Sequence, residues 1–197
     1  LQEGLILPIS EVYKFYQPSK LSSEAPASTV GYALHGMILC SFLGEVKTGY
    51  EFGRLALSLL EKIDAQSMKS MTLDLFGAFI QHQQQALRAT LLTFKDGYTS
   101  GIETGDFLYA GYNIVGYACN ELFAGVEVDA LSSELATYNA VLAQMKQEST
   151  QIYLDLLLQT LDDPYIMRQQ PQSILCCPIL HQSKLIGILY LENRRLT

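Results

Sequence analysis

Residues 98–112 read Tyr98-Thr99-Ser100-Gly101-Ile102-Glu103-Thr104-Gly105-Asp106-Phe107-Leu108-Tyr109-Ala110-Gly111-Tyr112. This stretch predicts the end of one helix, a short corner and the start of another. Gly101 and Gly105 both suit a helix C-terminus, since a residue without Cβ enters the left-handed conformation at no steric cost. Asp106 is placed to cap the next helix, its carboxylate accepting from N–H groups that have no partner in the first turn. Ala110 and Gly111 then let two helices approach closely. Apolar helical segments flank the corner on both sides. The expected fold is therefore mainly α, built of antiparallel helix pairs.

Toward the N-terminus, a helix is expected over 28–43, capped by Ser28 and stopped by Gly44. A second covers 46–63, with Tyr50, Gly53, Leu57 and Leu60 on one face at spacings of three and four. A third starts near Ser67 and carries Met68, Met71, Leu75 and Phe79 toward His82. Gln83-Gln84-Gln85 makes a polar hinge, and a fourth helix carries Leu87, Leu91, Phe94 and Tyr98. Beyond the corner, a fifth helix runs over 105–124 to Gly125. A sixth, over 128–161, contains Leu131, Leu135, Tyr138, Leu142, Met145, Ile152 and Leu156, with a break expected near 147–150.

Residues 1–27 read as a linker broken by Pro8, Pro18 and Pro26. From Pro171 the pattern changes to two strand-like runs, 173–180 and 184–191, joined by the polar turn His181-Gln182-Ser183, a short C-terminal β-hairpin. Two strands alone are marginal in water and need a surface to rest on. Gly31-Tyr32-x-x-x-Gly36 recurs as Gly111-Tyr112-x-x-x-Gly116, 80 residues later, the spacing of two repeats of about 40 residues, near both the tetratricopeptide and the HEAT length.

At 197 residues, 49% hydrophobic and 17% charged, the chain has the composition of a packed protein. A net charge of −7, with Arg194-Arg195 as the one adjacent basic pair, argues against nucleic acid, because no basic stripe exists to neutralise phosphates. No apolar run reaches the ~18 residues of a membrane span, and no signal peptide is read. Cys40, Cys119, Cys176 and Cys177 form no CxxC pair. Small buried thiols in a reducing cytoplasm account for them, with zinc or a redox pair as the alternative.

No catalytic constellation stands out. Gly31 to Gly36 and Gly44 to Gly49 have P-loop glycine spacing, but Met37-Ile38 and Tyr50-Glu51 follow where Lys and Ser/Thr are needed. His35, His82 and His181 have no partners at metal-ligand spacing. Glu103 and Asp106 could be posed as an acid/base pair, but capping explains Asp106 better. No catalytic, cofactor-binding or metal-binding residues and no cofactor are assigned. The most suggestive feature is 12 tyrosines without tryptophan. Tyr32, Tyr50, Tyr98, Tyr109, Tyr112, Tyr117, Tyr138 and Tyr153 fall in helical segments. They fit interhelix packing or a partner-binding groove in a helical superhelix.

Gly49-Tyr50-x-Phe52-Gly53-x-Leu55-Ala56-Leu57, Phe79-Ile80-x-His82 and Gly101-x-Glu103-x-Gly105-Asp106-x-x-Tyr109-Ala110 together resemble the helical-repeat region of very large bacterial multidomain sensor kinases. Phe123, Gly125, Leu131, Glu134, Tyr138 and Lys146-Gln147-Glu148 are similar to its continuation, so the resemblance covers about 28–161. In that family a serine/threonine kinase and an AAA-type ATPase precede this tetratricopeptide-like region. A GAF domain and often a histidine kinase follow. Gln83 stands where the family usually has tryptophan. The tail, with Asp163-Pro164-Tyr165-Ile166, Gln170-Pro171-x-Ser173-Ile174-Leu175-Cys176-x-Pro178-Ile179-Leu180 and Lys184-Leu185-Ile186-Gly187-x-Leu189-Tyr190-Leu191-Glu192-Asn193, resembles the last part of that GAF domain.

The resemblance implies three parts: a linker over 1–27, a helical-repeat domain over 28–161 and a partial GAF domain over 162–197. Both ends read as cut. An internal segment holding the first half of the GAF domain is expected to be missing, with the junction near 161–163, so no cyclic nucleotide or bilin is expected to bind. The implied function is a non-catalytic, cytoplasmic scaffolding segment of a signalling kinase, whose partners are neighbouring domains or other proteins. The alternative is a free-standing tetratricopeptide-like adaptor.

Overall fold

The computed structural model describes residues 25–125 and 128–164, Val128 by its backbone alone, and the backbone alone of 173–181 and 184–193. The 1–24 part of the expected linker and the side chains of Cys176, Cys177 and His181 lie outside the described residues. So does the apolar packing expected of the C-terminal hairpin.

The described chain is mainly helical. Its α-helices are α1 (Ala27–Ser41), α2 (Val46–Lys62), α3 (Gln66–Leu75), α4 (Leu87–Thr104), α5 (Phe107–Phe123), α6 (Val128–Gln144) and α7 (Glu148–Leu161). They form two compact units, Leu1–Tyr117 and Ala118–Thr197. In the first, α1 packs on α2 and α3 on α4; in the second, α6 packs on α7.

The corner at 98–112 falls between α4 and α5. Gly105 is the helix C-cap at φ 77°, in the left-handed region. Asp106 follows, and its Oδ1 accepts from the Tyr109 N–H at 3.3 Å, the bond expected of an N-cap. Gly101 differs from expectation: it lies inside α4, where a Cβ would stand 2.8 Å from Ala110 Cβ and from Ser70 Oγ. It is glycine for closeness to its neighbours, not for a turn. We expect Asp106→Ala to cost about 0.5–2 kcal/mol in urea unfolding. An unchanged midpoint would show that the cap adds nothing.

Ser28 does not cap α1. It is buried within the helix, and Pro26 holds the cap position without a side-chain cap bond. The stop at Gly44 is present at φ 72°, where the Glu45 N–H returns to Leu39 O at 2.9 Å.

The buried residues of α2 are Gly49, Gly53, Ala56, Leu59 and Leu60; Tyr50 and Leu57 are half-buried against the Cys40, Phe76 and Ile80 cluster. Glycine decides this phase. A Cβ at Gly49 would meet Gly36 O at 2.7 Å and Cys40 Sγ at 2.5 Å, so α1 and α2 touch backbone to backbone there. Tyr50 and Leu57 are rotated to one side of that contact.

The third helix departs from its predicted face. α3 passes at Phe76–Ile80 into a π-helical turn, then into a 3₁₀ turn at Gln81–Gln83. A π turn adds a residue to the helical repeat. The position expected for Phe79 is therefore taken by Ile80, which is fully buried, while Phe79 is 39% exposed.

Among the described residues of the first unit, Val30, Ala33, Ala56 and Leu75 form one apolar cluster and Cys40, Phe76 and Ile80 another. Phe94 lies fully buried beneath Gly77 and Gly116, where a Cβ would approach its ring within 2.9 Å and 2.5 Å. Both second glycines of the Gly-Tyr-x-x-x-Gly echo, Gly36 and Gly116, are thus helix-contact positions.

In the second unit the break in the long helical run falls at 145–147. Lys146 is left-handed at φ 56°, and the Gln147 N–H closes on Leu142 O at 3.1 Å, a Schellman-like end. Leu131, Leu135, Leu142, Leu154 and Leu161 are buried there, and Asn139 Nδ2 donates to Asp155 Oδ1 at 2.6 Å.

Candidate functional site

The trough along α2 is the feature with most chemistry. Rotated off the glycine contact, Tyr50, Arg54, Leu57, Ser58 and Glu61 share one side of this helix. Two hollows of about 380 and 230 Å³ adjoin there and share Leu57 and Glu61. One is walled by Phe76, Gln81, Gln85 and Thr93; the other by Leu60, Ala65, Gln66, Lys69, Leu73 and Asp96. Leu57, Leu60, Leu73 and Phe76 supply apolar surface, and the charged groups stand at the edges.

A chain of side-chain hydrogen bonds runs into the first hollow. Gln81, 6% exposed, accepts from Thr93 Oγ1 at 2.8 Å. Its Nε2 donates to Ala89 O at 3.2 Å and to Gln85 Oε1 at 2.9 Å, and Gln85 Nε2 donates to the Tyr50 hydroxyl. The direction of the whole chain is fixed at one point. The Ala89 carbonyl can only accept, so Gln81 must present its amide nitrogen to it. Gln85 then meets Gln81 with its oxygen and Tyr50 with its nitrogen. The Tyr50 hydroxyl accepts, and its own proton has no acceptor among the described residues. Tyr50 is further held by a tilted ring contact with Phe76 at 6.0 Å.

Arg54, Glu61, Lys69 and Asp96 line the same trough and make no ion pair with one another among the described residues. Sequence reasoning named Tyr50 as a helical tyrosine but missed the trough. Gln85 lies in the run that reads only as a polar hinge, and Gln81 falls near the end of the expected third helix; the π turn that brings Gln81 inward leaves no periodic signal.

The other expected positions resolve as follows. His35 is buried, its ring edge-on to Phe52 at 4.4 Å. Burial lowers its pKa, and the nearby Glu45 partly opposes this. His82 is exposed in the 3₁₀ turn that ends the helical run, so of a packing or a helix-terminus role it takes the second. Glu103 is exposed on α4 while Asp106 is engaged as a cap, so the two do not act as an acid/base pair. Cys40 and Cys119 are free thiols, and burial pushes both pKa values up, away from thiolate reactivity. Among the described residues no three His, Cys, Asp or Glu side chains are grouped to hold a metal. No described helix is long and apolar enough to cross a membrane.

The described residues form packed helix pairs with a polar-edged trough along α2. No protein-family model matches the chain, and no solved structure matches it. Among curated proteins, it is similar to "Hybrid signal transduction histidine kinase G" of Dictyostelium discoideum, at 28% identity over 130 residues. The match covers 64% of this chain and 4% of that protein. This likeness supports a relation to signal-transduction kinases at a coarse level.

Proposed function

We propose that this chain is a non-catalytic docking segment of a multidomain signal-transduction kinase, in contact with the neighbouring ATPase, GAF and kinase modules in the cytoplasm. The observation that carries this reading is the similarity to a small internal part of a hybrid histidine kinase. Packed helix pairs with a lined trough suit such a role, since helical repeats bind through the surfaces they leave between helices.

The finer assignments belong to the same proposal. The helix pairs are of tetratricopeptide-like type, and the tail is the remnant of a GAF domain that has lost its first half near 161–163. The backbone register of Ser173–His181 against Lys184–Asn193, antiparallel with Leu175 opposite Leu191, supports a hairpin there. The second reading, a free-standing adaptor, is supported by the trough equally well.

The reading frame on either side of this chain separates the two. Serine/threonine-kinase motifs upstream with a histidine-kinase core downstream support the kinase segment; start and stop codons at the present ends support the adaptor. For the chain itself, no phosphate cradle or catalytic aspartate was read in the sequence. Calorimetry with MgATP is therefore expected to show no saturable binding, and micromolar affinity would overturn the non-catalytic reading.

A further inference from the structure

We propose that the trough along α2 docks an extended peptide segment of a partner protein, one with an acidic residue and, about three residues on, a basic one. The assignment rests on the docking reading above and deepens it by giving the partner's chemistry.

Length comes first. Tyr50 and Glu61 are eleven residues apart on α2, and at ~1.5 Å per residue the trough is about 16–17 Å long. Five residues of extended chain, at ~3.3 Å each, fill that length. Apolar side chains on the floor and polar groups at the edges suit a peptide whose side chains alternate in direction.

Charge sets the polarity. At one end, the Tyr50 hydroxyl stands at the end of the Thr93–Gln81–Gln85 hydrogen-bond chain with its proton left to donate. Arg54, one helical turn on, lines the same hollow without an ion-pair partner among the described residues. A hydroxyl donor beside a guanidinium is matched by a carboxylate, which accepts from both. The other hollow is lined by Asp96 and by Glu61, which stands at the junction of the two hollows, against a single cation, Lys69, so that end carries net negative charge. It is matched by a Lys or Arg. Arg54 and Glu61 are seven residues apart, roughly 10 Å, the span of three extended residues.

The test is selection of a randomised heptapeptide display library on the full 197-residue chain. We expect Asp or Glu enriched at least fivefold at one position, and Lys or Arg enriched three or four positions away. Arg54→Gln should abolish the acidic enrichment and keep the basic one; Glu61→Gln should do the reverse. Tyr50→Phe, which retains the ring packed on Phe76, should weaken the selected peptides about threefold. Both charged residues are exposed, so the variants are expected to fold, and circular dichroism checks this. Three results would overturn the proposal: no enrichment, enrichment indifferent to all three substitutions, or self-association in sedimentation that Arg54→Gln abolishes, which would give the trough to a second copy. The reading frame decides the kinase assignment separately, so failure of the peptide selection leaves that assignment standing.

Discussion

Replacing Gly97 with alanine is expected to destabilise the first unit by about 3–5 kcal/mol, as overpacking and stranded buried polar groups add. A Cβ on Gly97 would stand 2.1 Å from Asn113 Oδ1 and 2.5 Å from its Cγ. Asn113 is fully buried and cannot swing away at low cost. Its Nδ2 donates to Tyr109 O at 2.7 Å and to Ser70 O at 3.0 Å, while Ser70 Oγ donates to Gly97 O at 2.9 Å. These bonds tie α3, α4 and α5 at one point, and the added methyl displaces the group at their centre. Asn113 Oδ1 itself has no hydrogen-bond partner, because it lies against the Gly97 backbone. The check is a double-mutant cycle by urea unfolding. In an Asn113→Ala background the same glycine change should cost under about 1 kcal/mol, since the clash is gone and alanine favours the helix over glycine. Equal cost in both backgrounds would mean that the contact with Asn113 is not the cause.

The second large effect is one of pH. Asp74 is buried on α3, on the side that carries Ser70 and Gly77 toward α4. No donor or cation reaches it among the described residues, and burial raises its pKa from 3.8 to about 7. Below about pH 4 folded and unfolded chains both hold the proton, and the carboxyl is buried neutral. As pH rises from 4 through 7 the unfolded chain gives up its proton while the folded chain keeps it. Stability therefore falls across that window and levels off above pH 7. At about 1.4 kcal/mol per pH unit, the loss is on the order of 4 kcal/mol. Asp74→Asn removes the ionisation, so its stability relative to the wild type should rise by a few kcal/mol between pH 4 and pH 8. His35 works in the opposite sense: buried and neutral, it opposes folding as pH falls below its ordinary 6.5. It is common to both proteins and cancels in the difference. Urea midpoints at pH 4, 6 and 8 decide the matter, and a difference that does not vary with pH would remove Asp74 as the source.

Local signals in the sequence located the helices to within a few residues. Gly105, Asp106, Gly44 and the break near Gln147 all act through backbone geometry or capping within one or two turns, so their effect is visible in the adjacent residues. The same locality explains the errors. Gly101 and Gly105 look alike in sequence, but one relieves a turn and the other a contact with Ala110 and Ser70, and only the second requires a residue far along the chain. On α2 the expected face does pack, with Gly53 and Leu60 buried and Tyr50 and Leu57 against the Cys40, Phe76 and Ile80 cluster, but the closest approach of α1 is set by glycines that carry no hydrophobic signal.

The candidate site was less legible than the fold. No spacing rule announces that Gln81 turns inward, that Ala89 O orients it, or that Tyr50 becomes the last acceptor in the chain. What the sequence determined by itself was the helical composition and the corners. Tertiary structure alone decided which side of each helix is buried and which polar groups meet, because those depend on how closely backbones approach across tens of residues, and a single π turn is enough to shift every position after it.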